Sequence, residues 1–443
     1  MTPVAADLFL RNAGVYGSEH LAGDQLDIRI RRGVLAEIGR NLSPTDQEII
    51  IDASGLIATP GFIDLHTHLR EPGGEHSETI ESGSHAAARG GFTRIFCMPN
   101  TMPTCDSTAS VKQIIDRARE GSGVRVYPVA SVTRGLSGEQ LTDFGALQRA
   151  GAAAFSDDGR PVPDAEIMRF ALECTRDIGS VIFDHCEDMS LTGEGVMHEG
   201  TVAYHLGLRG IPRASESTLV ARDCELSMAT GGRLHICHVS NMDSVEIIRF
   251  YKSRGAPVTA EVSPHHLVFT EDRVGDYDTN AKMKPPLCEE VDRQALIAAL
   301  EDGTIDCIAT DHAPHAPNLK ADTFDRAPFG IIGMETAFPV LYTNFVATGR
   351  WTIEFLIERM TAAPARVMNR SQWCGMPMGT RPHIALLDVA TEYDFAVDML
   401  GSKSRNCPWL GSRLRGRSVL TIAAGHIAYI DRQRFPDLEG VTM

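Results

Sequence analysis

The sequence has no apolar run near the roughly 18–20 residues that a membrane-spanning helix requires; its longest are strand-like, such as residues 61–65. Positive charge is in deficit. Lys and Arg number 42 against 58 Asp and Glu, a formal balance of −16, so a nucleic-acid partner, which wants a basic face, is not expected. The ten cysteines include no C-x-x-C pair. The opening residues have neither the basic region nor the apolar block of a secretory leader, so buried free thiols and a cytoplasmic location are expected. No G-x-G-x-x-G turn follows a candidate strand, against a dinucleotide-binding open sheet. There is no self-similar repeat of 20–50 residues. Hydrophobic residues at 43% and charged residues at 23% exclude a disordered chain, and 40 Gly with 23 Pro exclude a collagen-like one. At 443 residues the chain suits two or three domains.

What the sequence does have is a change of texture along its length. Residues 1–59 carry short alternating segments (26–30, then 34–38) that predict a small antiparallel sheet. The same texture returns after about residue 375, with strands expected at 383–388 and 418–422. Residues 1–59 and 371–443 are therefore expected to join as a composite β-sandwich accessory domain around a catalytic domain at 60–370. That middle alternates eight candidate strands (61–68, 93–98, 124–131, 152–157, 181–186, 234–239, 258–262 and 305–311) with helix-like stretches such as 164–178, 215–229, 243–254 and 291–300. The fold class this predicts is α/β, a (β/α)8 TIM barrel with a small β-rich accessory domain.

Residues of catalytic type gather at the C-terminal ends of those strands: His66 and His68, Asn100, Asp157 and Asp158, His185, His238, His265 and His266, and Asp311. Barrel enzymes build their sites at that face. In Asp64-Leu65-His66-Thr67-His68, strand alternation sends both histidines to one side, half of a divalent metal site. His185 or His238 alone would read as a structural histidine; with the pair they become candidate ligands. His235, three residues before His238, should face elsewhere. Asp311, closing the eighth strand, suits a general base in metal-assisted hydrolysis. Of Asp157 and Asp158, one could bridge two metals and the other cap a turn. The unperiodic segment 313–326 reads as a lid carrying His315.

Four histidines and an aspartate on successive barrel strands resemble the metal-dependent amidohydrolase superfamily. Within it the chain resembles class I dihydroorotases, through Asp64-Leu65-His66-Thr67-His68-Leu69-Arg70-Glu71-Pro72-Gly73, Met98-Pro99-Asn100-Thr101, Phe155-Ser156-Asp157-Asp158-Gly159, Glu261-Val262-Ser263-Pro264-His265-His266-Leu267, and the phrases at 309–315 and 328–336. The resemblance implies zinc, one or two ions per subunit, held by His66, His68, Asp158, His185, His238 and Asp311. It selects Asp158 over Asp157, which spacing does not. It implies Asp311 as the catalytic residue, and His68, Arg70, Asn100, His315, Phe329 and Gly330 around the substrate, with Arg70, Asn100 and His315 on its carboxylate. The implied activity is reversible cyclisation of N-carbamoyl-L-aspartate to L-dihydroorotate in pyrimidine synthesis.

Two departures stand out. Lys284-Pro285-Pro286-Leu287-Cys288 replaces a more usual Asn-Pro-Pro-Leu-Arg, so Lys284 either meets the substrate or points away. Ala423-Ala424-Gly425-His426 lacks a second glycine, which should affect only a turn. The alternatives are another cyclic amidohydrolase, acting on a hydantoin or allantoin, and an inactive dihydroorotase-like structural partner of aspartate transcarbamoylase. A homodimer is the expected assembly; the sequence leaves association with the transcarbamoylase open.

Overall fold

The computed structural model describes residues 7–16 and 23–438; residues 1–6, read above for a leader, and 439–443 of the expected accessory domain lie outside them. Eight short strands, Phe62–Thr67, Phe92–Cys97, Arg125–Ala130, Ala154–Phe155, Val181–Asp184, Arg233–Ile236, Val258–Val262 and Cys307–Ile308, pair in parallel in sequence order. Every strand expected from the sequence is present. Most stop short of their expected C-terminal ends, because the polar residues there leave the ladder: His238 and Asp311 take left-handed backbone, φ 34° and 46°.

Between the first and eighth strands the ladder shrinks to a single bridge, Thr67 with His312, beside which the His68 N–H donates to the His312 carbonyl at 2.8 Å. A side chain completes the closure. The Asp64 carboxylate accepts from the Thr310 N–H at 2.9 Å and from its hydroxyl at 2.6 Å. Burial pushes this carboxyl up to about 7 in spite of those bonds. The ring is filled rather than hollow: Phe96 on the second strand meets Phe183 on the fifth across it, ring centroids 6.2 Å apart.

Helices start where capping residues fall. Thr79 caps Ile80–Arg89, Ser107 caps Thr108–Gly121, Asp164 caps Ala165–Asp177 and Asn241 caps Met242–Ser253, each side-chain oxygen accepting from a first-turn N–H that has no partner within its helix. With Ala214–Thr230 and Glu290–Asp302, these include all four helices read from the sequence. Their apolar faces (Leu172, Val220, Ile248, Leu296) pack on outward strand residues such as Ile182, Leu234 and Ala260 as one core.

The chain ends join. Leu8–Val15, Asp24–Arg31, Val34–Gly39, Ile49–Asp52 and Ile57–Pro60 share one eight-stranded sheet with Ile384–Asp388, Arg417–Ala423 and His426–Ile430, over a separate core that includes Leu10, Ile28, Ile51, Leu386 and Ile422. This sheet is mixed rather than antiparallel as the sequence suggested: Leu8–Val15 runs parallel to both Ile49–Asp52 and Ile57–Pro60, the two intervening strands supplying the long crossover that a parallel pair needs. The missing second glycine does fall in a turn, where Ala424 accepts φ 51° beside Gly425 at φ 82°. No disulfide forms: eight of the ten cysteines are buried free thiols, Cys374 is half-buried and Cys174 exposed.

A strap at 401–409, to which the site below returns, starts on Glu335, whose carboxylate accepts the Gly401 N–H at 2.5 Å. Burial pushes that carboxyl up to about 7. An acid whose folded pKa exceeds its unfolded one favours the fold at low pH and disfavours it once both states ionise. Wild-type stability should therefore fall between about pH 4.5 and 7, by on the order of 2 kcal/mol relative to Glu335→Gln. Urea unfolding at pH 5 and pH 8 checks this; parallel pH profiles for the two proteins would refute it.

Candidate metal and substrate site

Four imidazoles and two carboxylates converge where the strands end. His66 comes from the first strand and His68 from just beyond it, with Asp158 after the fourth, His185 after the fifth, His238 after the sixth and Asp311 after the eighth; none is more than 5% exposed. His66 Nε2 lies 3.2 Å from Asp158 and 3.5 Å from Asp311. His68 Nε2 lies 3.0 Å from Asp311 and 3.4 Å from Asp158. His185 Nδ1 is 3.5 Å from Asp158 and only 2.9 Å from His238 Nε2. Asp158 belongs to both the His66–His68 group and the His185–His238 group, the ligand atoms of each lying within 4.8 Å of one another.

This arrangement passes a physical test for a cation. Among the described residues, His66 Nε2, His238 Nδ1 and Asp158 Oδ1 are buried with no hydrogen-bond partner, which is costly unless something positive binds them. Burial opposes charge on His66, Asp158, His185, His238 and Asp311. Even so, Asp311 and Asp158 hold His66 well above an ordinary histidine, and the histidines hold Asp158 well below an ordinary carboxylate. Imidazole nitrogens with carboxylate oxygens suit a divalent transition-type ion.

A second layer aims the first. Glu261 accepts from His66 Nδ1 and from His235 Nε2, both at 3.0 Å, which turns His66 Nε2 toward the centre. Against burial, those two histidines bring the Glu261 carboxyl down to about 2. His235 is thus structural, as expected, but its expected direction is corrected. It lies within the strand and points inward onto Glu261, whereas His238 follows the strand end with φ 34°, so counting period two between them fails. Glu187 does for His185 what Glu261 does for His66, holding His185 Nε2 at 3.0 Å. Lys284 pairs with that Glu187 at 2.9 Å and sits over the Phe329 ring at 5.2 Å, so it points into the site. Asp157 stays outside, accepting from the Val132 and Thr133 N–H groups at 2.8 and 3.0 Å as a loop cap.

The expected substrate residues lie beside this cage. Asn100 Oδ1 is 2.9 Å from His68 Nδ1 and its Nδ2 3.5 Å from Asp158. Arg70 does not continue a strand, which ends at Thr67; φ 61° turns its side chain so that Nε donates to the Pro314 carbonyl at 3.1 Å and Nη2 approaches His315 Nε2 at 3.4 Å. His315 Nε2 lies 2.7 Å from the Phe329 carbonyl. Burial, then the Arg70 guanidinium, push His315 down to about 3, so its ring is neutral and that contact is an N–H donation. Segment 313–330 is a packed arm, burying Ala313, Ala316, Phe324 and Ala327, and the Lys320 ammonium donates to the Pro328 and Gly330 carbonyls at 2.9 and 3.1 Å.

Reading the sequence missed Glu261's and Glu187's roles and Asn406. Glu261 had a signal, two residues after Thr259 on an alternating strand, and Glu187 follows His185 by two. Asn406 had none.

A family model described as Dihydro-orotase-like matches residues 55–244. The dihydroorotase of Pelobacter propionicus is 45% identical over 423 residues, 96% of this chain and 99% of that protein. The dihydroorotase of Bacillus subtilis is 46% identical over 410 residues, 91% of this chain and 94% of the relative. Among solved structures, the L-hydantoinase of Arthrobacter aurescens superposes with a TM-score of 0.85 at 25% identity, covering 96% of each chain. The dihydropyrimidinase of Brevibacillus agri gives 0.82 at 22%, covering 96% of this chain and 95% of its own, a likeness of fold alone. Relatives of such identity run through both the barrel and the strand-rich ends, and the chain belongs to the dihydroorotase family.

Proposed function

We propose that the protein interconverts L-dihydroorotate and N-carbamoyl-L-aspartate, the ring-closing step of de novo pyrimidine synthesis, at the cage of His66, His68, Asp158, His185, His238 and Asp311. The observation that carries this is the pairing of that cage with a cationic, carboxylate-sized set, Arg70 with Asn100 and neutral His315, on one barrel face. A hydantoin ring carries no carboxylate to occupy such a set. An inactive structural partner would not need all six cage positions filled. The strand-rich ends, 1–59 and 371–443, act as an accessory domain to the barrel at 60–370.

The cage suits zinc: His66, His68, Asp158, His185, His238 and Asp311 would hold one or two ions, which would make hydroxide available near neutral pH and polarise a carbonyl. The chain's own residues do the rest. Arg70 and Asn100 fix the substrate carboxylate, and the Phe329–Gly330 backbone borders the ring. Asp311 accepts the proton of the attacking water as its oxygen bonds to the ring carbonyl carbon. It then gives that proton to the ring nitrogen as the C–N bond breaks. Closure runs the same transfers backward, with Asp311 first taking the carbamoyl N–H proton. Glu261 and Glu187 keep His66 and His185 in the tautomer that leaves one nitrogen free for the metal.

Four outcomes test this. Purified protein should hydrolyse L-dihydroorotate saturably, and Asp311→Asn should lower kcat by about 10²–10⁴-fold; full turnover in that variant would remove Asp311 from the mechanism. Chelation should abolish turnover and zinc restore it. In Glu261→Gln, zinc affinity should drop by about 10–100-fold, read by competition with a chromogenic chelator on folded protein. Opening the ring creates a carboxylate and releases one proton near neutrality, so the equilibrium ratio of dihydroorotate to carbamoyl-aspartate should fall about tenfold per unit rise in pH. A ratio independent of pH would mean that the bond cleaved is not the ring amide.

A further inference from the structure

The substrate arm is pinned by a residue far away in sequence. Asn406 is 2% exposed and lies in the strap at 401–409. Its Nδ2 donates to two carbonyls, Ala313 at 2.9 Å and Gly330 at 3.0 Å. Its Oδ1 accepts the His315 N–H at 3.1 Å, and its own carbonyl accepts the Ile332 N–H at 3.0 Å. Both amide hydrogens and the amide oxygen are committed, a combination that no carboxylate, hydroxyl or aliphatic side chain can reproduce. The three side-chain bonds tie together the two ends of the arm: residues 313 and 315 leaving the eighth strand, and residue 330 returning beside it.

The strap is fixed independently. The Lys403 N–H donates to Glu78 at 3.1 Å, the Ser404 hydroxyl to the Ser77 carbonyl at 2.7 Å, and Cys407 and Trp409 pack in one apolar cluster with Ala313, Ile331 and Ile332. Asn406 therefore presents its amide from the strap to both ends of an arm whose middle is held by Lys282 and Lys320.

We propose that Asn406 is a positioning residue for substrate: by fixing the His315 backbone and the Gly330 carbonyl in one register, it sets affinity for the carboxylate-bearing ring without touching it. This rests on the functional reading above. It implies an effect on KM carried through His315, because the metal cage and Asp311 make no bond to Asn406.

The test is steady-state kinetics with L-dihydroorotate on metal-replete wild type, Asn406→Asp and Asn406→Ser, together with His315→Ala and the double variant. Asn406→Asp keeps shape and acceptor but sets a carboxylate against two carbonyls; Asn406→Ser removes the donors neutrally. The expected result is KM raised about tenfold or more, kcat within about threefold, zinc content unchanged, and little further rise when Asn406→Asp is added to His315→Ala. An unchanged KM in folded variants, a parallel loss of kcat, or effects that multiply with those of His315→Ala would overturn the inference. So would failure of both variants to fold, which would make the residue structural. If wild type itself does not turn over dihydroorotate, the functional reading has failed instead.

Discussion

The site depends on how the barrel closes. Seven of the eight junctions between strands are parallel pairings, that between the fourth and fifth strands narrowing to one residue pair, whereas the first and eighth strands meet through an isolated bridge and the buried carboxylate of Asp64 on Thr310. That junction lies between the His66–His68 pair and Asp311. A ladder would have continued both strands straight past each other. The Asp64 clasp instead ends the pairing early and frees Asp311 to adopt φ 46°, from which its carboxylate reaches His68. Asp64 accepts three N–H or O–H groups in all, including the His66 N–H at 3.3 Å, so the same carboxylate orients backbone on both sides of the seam. It is costly to bury and has no role in the cage itself, which is what a residue retained for geometry looks like.

Left-handed backbone occurs at three residues of the proposed site. Arg70, His238 and Asp311 all have φ between 34° and 61°, a region that side chains with a Cβ rarely adopt. Each is the residue at which the chain leaves a strand or loop to aim a side chain at the centre. The barrel supplies the direction of approach, and these local departures supply the final angle. Rigidity comes from the layer beneath: Glu261 joins His66 to His235, and Glu187 joins His185 to Lys284, so the imidazoles that flank Asp158 are held from behind by carboxylates.

Much of this was legible in the sequence because it is written in local periodicities. The eight strands, the four helices, the H-x-H pair and the gathering of polar residues at strand ends all follow from patterns shorter than about 15 residues. Where the pattern breaks, reading it misled. His235 and His238 could not be ordered by period two because the sixth strand ends between them, and Arg70 reaches its place through a turn rather than a continued strand. The parallel pairing of Leu8–Val15 was hidden because strand direction is decided by crossover length, not by alternation. Asp157 and Asp158 are neighbours of equal chemistry, separated only by which one faces a loop. Asn406 lies in a stretch without regular secondary structure, and its side-chain bonds span 76 to 93 residues, beyond the reach of any window.

That last separation has a consequence for the order of assembly during synthesis. Every member of the proposed metal cage, from His66 to Asp311, leaves the ribosome before the arm does, whereas the amide that pins the arm follows His315 by 91 residues. At translation rates of about 5–20 residues per second, the arm waits on the order of ten seconds for its pin. A nascent chain therefore holds every residue of the proposed cage before the strap that fixes Gly330 and His315 has been made. The amide that fixes the arm is the last of these pieces to be made.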